Sequence, residues 1–193
     1  MNNSDKHMKF ALKEIILTAA FAALTAILSQ ISIAIPFSPV PLTMQLFAVY
    51  LAGIILGSKY GALSQMVYLI VGLAGMPVFA NFESGLATLL GPKGGYLASF
   101  PIMAFVTGYA IERSKTLSAA KIVGICLPGL LICYFLGVTW LSRYLGNNIA
   151  KAIMAGAVPF IPFDLLKAVI SGFLGLRIRT ALDAAGLLPV KQR

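Results

Sequence analysis

Asp164 and Lys167 are the only charged residues between Ala152 and Leu176, in a stretch that is otherwise strongly apolar. Ionisable groups in such sequence are costly unless they are paired or hydrated. Their spacing of three places both side chains on one face of a helix. The pair is therefore either a structural ion pair or a two-ended polar clamp. Such a clamp accepts N–H groups of a ligand at the carboxylate and binds a ligand carbonyl or carboxylate at the ammonium.

Four further residues are candidates for the same site: Gln45, Asn81, Gly95 and Tyr96. The two amides each offer two donors and an acceptor. Gly95 belongs to Gly91-Pro-Lys-Gly-Gly-Tyr96, where adjacent glycines allow close approach of the backbone to a ligand. Each has a structural alternative: the amides bond to local backbone, the glycines form a loop-to-helix turn, and Tyr96 is an interface anchor.

Long apolar blocks must position these residues. Mean hydropathy is +0.91, and only 11% of residues are charged, against about a quarter in soluble domains. The blocks predict an all-α integral membrane protein with six spans. The predicted spans are 11–34, 42–57, 60–76, 96–111, 117–141 and 163–182. We expect one membrane domain over residues 1–193, with residues 1–9 as a flexible tail.

The basic residues are distributed unevenly between the two sides that six spans would create. One side carries Lys6, Lys9, Lys13, Lys59, Arg113, Lys115, Lys121, Arg177, Arg179, Lys191 and Arg193. The other side carries Lys93, Arg143, Lys151 and Lys167. By the positive-inside rule, both termini are cytoplasmic and the chain is a multi-pass protein of the cell membrane. The net charge of +9 thus reports topology in a lipid bilayer rather than nucleic-acid binding.

The connections on the predicted outer side are rich in proline and aromatic residues. They include Pro36–Pro41, Pro77–Phe82 and Pro159–Phe163. Irregular backbone at membrane depth is tolerated where it is buried in protein or lines a cavity. These segments favour a lidded pocket that opens outward. The alternative is an aromatic belt at the membrane interface, with Trp140 and Tyr144 as members.

The first span presents small residues at helical spacing, in the pairs Ala19/Ala23 and Ala22/Ala26. Such small-xxx-small spacings let another helix approach closely. The partner helix belongs either to a second protein or to this chain.

Several function classes lack the residues that they need. The sequence has no Walker A loop, no HExxH motif and no Ser/His/Asp set, and its single histidine is His7. We therefore expect no enzymatic activity, no metal site and no cofactor.

Four motifs occur in an order that resembles the BioY family, the biotin-binding S-components of energy-coupling factor (ECF) transporters. They are Val40-Pro-Leu-Thr-Met-Gln45, Gly75-Met-Pro-Val-Phe79, Gly91-Pro-Lys-Gly-Gly-Tyr96 and Pro159-Phe-Ile-Pro-Phe-Asp-Leu-Leu-Lys167. Lys93 departs from the threonine expected in the third motif. Asn81-Phe82 stands where a glycine pair is often found.

The resemblance implies a six-helix bundle that captures biotin at the outer face. It also implies two kinds of partner, an EcfT-type transmembrane scaffold protein and two cytoplasmic ATPases. Ala19, Ala22, Ala23 and Ala26 would form the docking face for the scaffold. Asp164 would accept the ureido N–H groups of biotin, and Lys167 would bind its carbonyl or carboxylate. The alternatives are an S-component for thiamine or riboflavin, or an autonomous small-molecule facilitator.

Overall fold

The computed structural model describes residues 3–189, with side chains described from residue 12 onward. The chain is mostly helical. Its elements are α1 (Asn3–Ser29), β1 (Ser32–Ile33), β2 (Leu42–Thr43), α2 (Gln45–Leu73), α3 (Gly85–Leu90), α4 (Gly94–Glu112), α5 (Ala119–Ser142), α6 (Ile149–Gly156) and α7 (Ile161–Ala184). Short 3-10 turns cover Ala80–Phe82 and Arg143–Leu145. Helix α1 already begins at Asn3, so most of the tail expected over residues 1–9 is helical, and residues 1 and 2 lie outside the described part.

Four of the helices described between residues 3 and 189 are long and apolar enough to cross a membrane: α1, α2, α4 and α5. Helices α6 and α7 pass the same test as one pair, bent by 50°. The expected second and third spans, 42–57 and 60–76, overlap the single helix α2 (Gln45–Leu73), which extends over most of both. The short helices α3 and α6 were not expected, because they lie in segments that were predicted as loops.

Helix α2 reverses direction at Gly57. This residue has φ 79° and ψ −172°, a backbone conformation that glycine adopts without a steric penalty. A Cβ at Gly61 would lie 3.0 Å from the Ala52 carbonyl oxygen. The Gln45 amide lies 2.6 Å from the Tyr68 hydroxyl, although 23 residues of straight helix span about 35 Å. The two arms of α2, residues 45–56 and 58–73, are therefore antiparallel.

Two charged side chains satisfy the helix ends that meet at this turn. The Glu112 carboxylate accepts hydrogen bonds from the backbone N–H and the hydroxyl of Ser58, at 2.6 and 2.9 Å. The buried Arg179 guanidinium donates to the Ile54 carbonyl at 2.9 Å. Helix ends otherwise leave such donors and acceptors without partners. The C-terminal parts of α4 and α7 are thereby attached to the Gly57 turn.

The start of α1 reaches the same end of the bundle, because Lys13 donates to the Leu188 carbonyl at 3.0 Å. The turn at Gly57, the end of α4 and the end of α7 thus lie together. Among the described residues, this arrangement brings four basic residues to a single end, here called the turn end: Lys13, Lys59, Arg113 and Arg179.

Helix α4 packs in the middle of the bundle, between the first arm of α2 and α5. A Cβ at Gly108 would lie 2.3 Å from backbone atoms of Gly57 and Ser58, so the helices approach to backbone contact. Tyr50, Phe100 and Met103 fill the space between them and are almost completely buried. The starts of α2, α4 and α7 consequently face one another at the opposite end of the bundle.

Candidate functional site

A cavity lies where α2, α4 and α7 begin, and it encloses about 570 Å³ of empty space with its mouth included. Small-molecule sites are mostly apolar with a few polar groups. The lining fits that description. Its members are Val40, Pro41, Leu42, Thr43, Gln45, Leu46, Phe79, Ala80, Thr88, Lys93, Tyr96, Leu97, Phe100, Tyr134, Gly156, Phe160, Asp164 and Lys167.

Asp164 and Lys167 meet in the wall of this cavity. Proline in the first turn of α7 starts the helix, and Asp164 follows in the same turn, where the helix dipole favours a carboxylate. Lys167 Nζ lies 2.7 Å from Asp164 Oδ1, and the two side chains are only 7% and 5% exposed. Tyr134 on α5 donates to Asp164 Oδ2 at 2.7 Å. Both carboxylate oxygens are thus held by the protein.

This triad of Tyr134, Asp164 and Lys167 suits a ligand that is both a donor and an acceptor. Each carboxylate oxygen has a further lone pair for a ligand N–H, and an ammonium has three N–H groups. The charges of Asp164 and Lys167 cancel, so the triad favours a neutral polar group over an ion.

A second ion pair lies at the N-terminal end of α4. Lys93 Nζ is 2.5 Å from Glu83 Oε1, and Lys93 lines the cavity. The lysine side chain is 17% exposed and the glutamate side chain 39%. This ion pair is more exposed to solvent than the Asp164–Lys167 pair on α7.

Gln45 and Tyr96 also line the cavity, but their polar atoms already have protein partners. The Gln45 amide donates to the Tyr68 hydroxyl, and its carbonyl accepts from the Thr43 hydroxyl at 2.9 Å. The Tyr96 hydroxyl donates to the Gly156 carbonyl at 2.8 Å. Both side chains therefore position neighbouring segments of the wall.

Asn81 and Gly95 do not line the cavity. Asn81 is exposed, adopts a left-handed conformation with φ 62°, and accepts a hydrogen bond from Ser32 at 2.6 Å. At Gly95 a Cβ would lie 2.4 Å from the Trp140 side chain. The glycine is needed for the contact between α4 and α5. The structure thus brings together four of the six expected site residues.

The three proline-rich segments do cover the cavity, through Val40, Phe79 and Phe160. The segment that contains Phe79 is fixed to α1 and α2. Ser29 and Tyr68 both donate to the Val78 carbonyl, at 2.6 and 3.1 Å. The aromatic cover is therefore a braced part of the wall.

Trp140 and Tyr144, considered as members of an aromatic belt, instead hold the loop before α4. The Trp140 indole N–H donates to the Gly91 carbonyl at 2.9 Å, and the Tyr144 hydroxyl bonds to the Leu90 carbonyl.

The four alanines expected at a partner interface lie along one apolar groove between α1 and the second arm of α2. Ala19, Ala22, Ala23 and Ala26 line it together with Val67 and Val71. Ala22 is buried at 6% exposure, whereas Ala19 and Ala23 are exposed. Close packing with this chain's own second arm accounts for Ala22.

Sequence reasoning missed Tyr134 and left Lys93 undecided. Tyr134 is 30 residues from Asp164, and only the folding of α5 against α7 brings them together. The available signal was a tyrosine within an apolar span, since a buried hydroxyl usually needs a hydrogen-bond partner.

Residues 1–184 match the BioY family. A probable biotin transporter BioY of Pyrococcus horikoshii is 44% identical over 167 residues, which cover 86% of this chain and 96% of the relative. The biotin transporter BioY of Thermotoga maritima is 42% identical over 168 residues, which cover 87% of this chain and 96% of the relative. A crystal structure of the S-component for biotin from an ECF-type ABC transporter superposes with a TM-score of 0.83 at 30% identity. The superposition covers 93% of this chain and 95% of that one.

Proposed function

The chain belongs to the BioY family, and from this premise we propose that it is the S-component of an ECF-type transporter and captures biotin in the cavity at the start of α7. It is a transport subunit and not an enzyme. The observation that carries the proposal is the buried Asp164–Lys167 pair in the cavity wall. This pair supplies an acceptor and a donor side by side.

The proposed topology has six membrane crossings, because the reversal at Gly57 divides α2 into two. The other crossings are α1, α4, α5 and α7. An even number places both termini on one side, and the excess of lysine and arginine at the turn end assigns that side to the cytoplasm. The cavity then opens to the outside of the cell membrane.

The ureido ring of biotin binds at Asp164 and Lys167. Its two N–H groups donate to the carboxylate, and its carbonyl accepts from the ammonium, which uses both halves of the pair. Tyr134 positions Asp164 by occupying its second oxygen at 2.7 Å. A carboxylate ligand at this place would meet the charge of Asp164, so the ring is the better fit.

The valeryl carboxylate of biotin binds at Lys93, the other lysine in the described lining. The Lys93–Glu83 pair is the more exposed of the two pairs, so exchange of its partner costs less desolvation. Leu46, Leu97 and Phe100 provide apolar surface for the bicyclic ring and the chain.

The partners are an EcfT-type scaffold protein in the membrane and two cytoplasmic ATPases. The scaffold docks along the exposed alanines of α1, Ala19 and Ala23, where small side chains permit close helix packing. ATP hydrolysis by the ATPases drives release of biotin inward.

Isothermal titration calorimetry of the purified protein in detergent tests this function. We expect saturable binding of biotin at a 1:1 ratio, with no heat from thiamine or riboflavin at the same concentrations. Binding of thiamine or riboflavin in place of biotin would overturn the substrate assignment while leaving the fold intact.

A further inference from the structure

We infer that Glu83 competes with the carboxylate of the ligand for Lys93, and so lowers the affinity of the site for ligands that bear a carboxylate. The inference rests on the proposed function, because it takes biotin as the ligand. The inference adds Glu83, a residue outside the cavity lining, to those that determine affinity. Glu83 would affect a ligand with a carboxylate and not a ligand with a neutral group in its place.

Glu83 contacts the Lys93 ammonium in the way that a ligand carboxylate would. Its Oε1 lies 2.5 Å from Lys93 Nζ, a charge-assisted contact of the kind that a bound carboxylate makes. Lys93 lines the cavity whereas Glu83 does not. The glutamate therefore approaches the ammonium from outside the ligand space.

The backbone of Lys93 is held in place. It directly precedes Gly94 and Gly95, where a Cβ would lie 1.7 Å from the Leu89 carbonyl oxygen and 2.4 Å from the Trp140 side chain respectively. Backbone packed this closely has no room to shift. The lysine side chain therefore starts from a fixed point beside the cavity when its partner changes.

The glutamate side chain is the more exposed member of the pair. It lies between the 3-10 turn Ala80–Phe82 and helix α3. Its side chain is 39% exposed, so water can solvate the carboxylate once it leaves Lys93. Release of Glu83 thus costs little desolvation.

Two carboxylates at one ammonium repel each other even if the three N–H groups serve both. The charge of Glu83 therefore weakens the binding of a ligand that bears a carboxylate, whether the ligand displaces Glu83 from Lys93 or binds beside it. A ligand with a neutral group at that position feels no such repulsion. The Asp164–Lys167 pair cannot yield in this way, because it is buried and Tyr134 holds its acid.

The experiment compares Glu83→Gln with the wild type by calorimetry, using biotin and the carboxamide of biotin as probes. We expect Glu83→Gln to bind biotin about two- to fivefold more tightly, the range set by a partly exposed ion pair. Affinity for the carboxamide should be unchanged. Asp183→Asn is the control, since it removes one negative charge near the turn end.

The other outcomes overturn the inference. Equal weakening of both probes would mean that Glu83 only braces the loop, and an unchanged biotin affinity would mean that no competition exists. On a Lys93→Met background the effect of Glu83→Gln should vanish, and its persistence would also contradict the inference. Failure of the proposed function gives a different result, since wild-type protein would then bind neither probe, and the inference would fall with it.

Discussion

Helix α7 buries charged side chains near both of its ends, and these side chains make different kinds of contact. Near its start, Asp164 and Lys167 pair with each other in the wall of a mostly apolar cavity. Near its end, Arg179 donates to backbone carbonyls at the Gly57 turn, those of Ile54 and Ile55 at 2.9 and 3.4 Å. One helix therefore carries both a candidate ligand site and a structural clamp.

The contrast between the two ends of α7 shows that burial of a charge does not by itself identify a ligand site. A groove at the turn end is lined by Arg179 together with Lys115, Thr180 and Asp183, but it is largely polar. The cavity at the other end is mostly apolar with a few convergent polar groups, as ligand sites usually are. The surroundings of the charge, and not its burial, distinguish the two ends.

The largest effect is expected from breaking the pair near the start of α7. Asp164→Asn and Lys167→Ala should each weaken biotin binding by at least about tenfold, since one charge-assisted hydrogen bond contributes about 1.5–3 kcal/mol. Calorimetry measures the affinity, with Lys151→Ala as a control that removes a lysine outside the cavity lining. Unchanged affinity in either variant would return the pair to a purely structural role.

Removing the Arg179 contacts near the end of α7 should lower stability without changing biotin affinity. Arg179→Met leaves the Ile54 carbonyl without its donor, at a cost of about 1–3 kcal/mol. Thermal unfolding in detergent should show a midpoint lowered by several degrees, with biotin affinity within about twofold of wild type. Arg177→Met, an exposed neighbour on α7, is the control. A stable variant with lost biotin binding would erase the distinction between the two ends.

Tyr134→Phe tests how much the hydrogen bond from Tyr134 to Asp164 contributes within the candidate site. The variant removes one donor to Asp164, so the carboxylate loses one of the two contacts that orient it. We expect biotin binding weakened about three- to tenfold, in keeping with a net hydrogen-bond contribution of about 0.5–1.5 kcal/mol. Tyr109→Phe, an exposed tyrosine on α4, should bind as the wild type does. A Tyr134→Phe affinity equal to wild type would show that Lys167 alone orients Asp164.

Local signals in the sequence predicted much of the fold. The boundary predicted between the spans 42–57 and 60–76 coincides with the reversal at Gly57, where Gly61 contacts Ala52. Asp164 and Lys167 were found because charge is rare in apolar sequence. These features are visible within a few residues of the chain.

The remainder of the candidate site depends on contacts between distant segments. Asn81 and Gly95 have the right residue types, but one supports a turn and the other a helix contact. Tyr134 is brought to Asp164 by the packing of α5 against α7, and Glu83 reaches Lys93 across the short helix α3. No spacing rule in the sequence connects these pairs, so their contacts emerge only in the folded chain.

A crystal structure of this protein with bound biotin would locate both ends of the ligand. We expect the ureido N–H groups within hydrogen-bond distance of the Asp164 carboxylate and the valeryl carboxylate at Lys93. Biotin bound elsewhere, with Asp164 contacted only by Lys167 and Tyr134, would overturn the proposed binding mode.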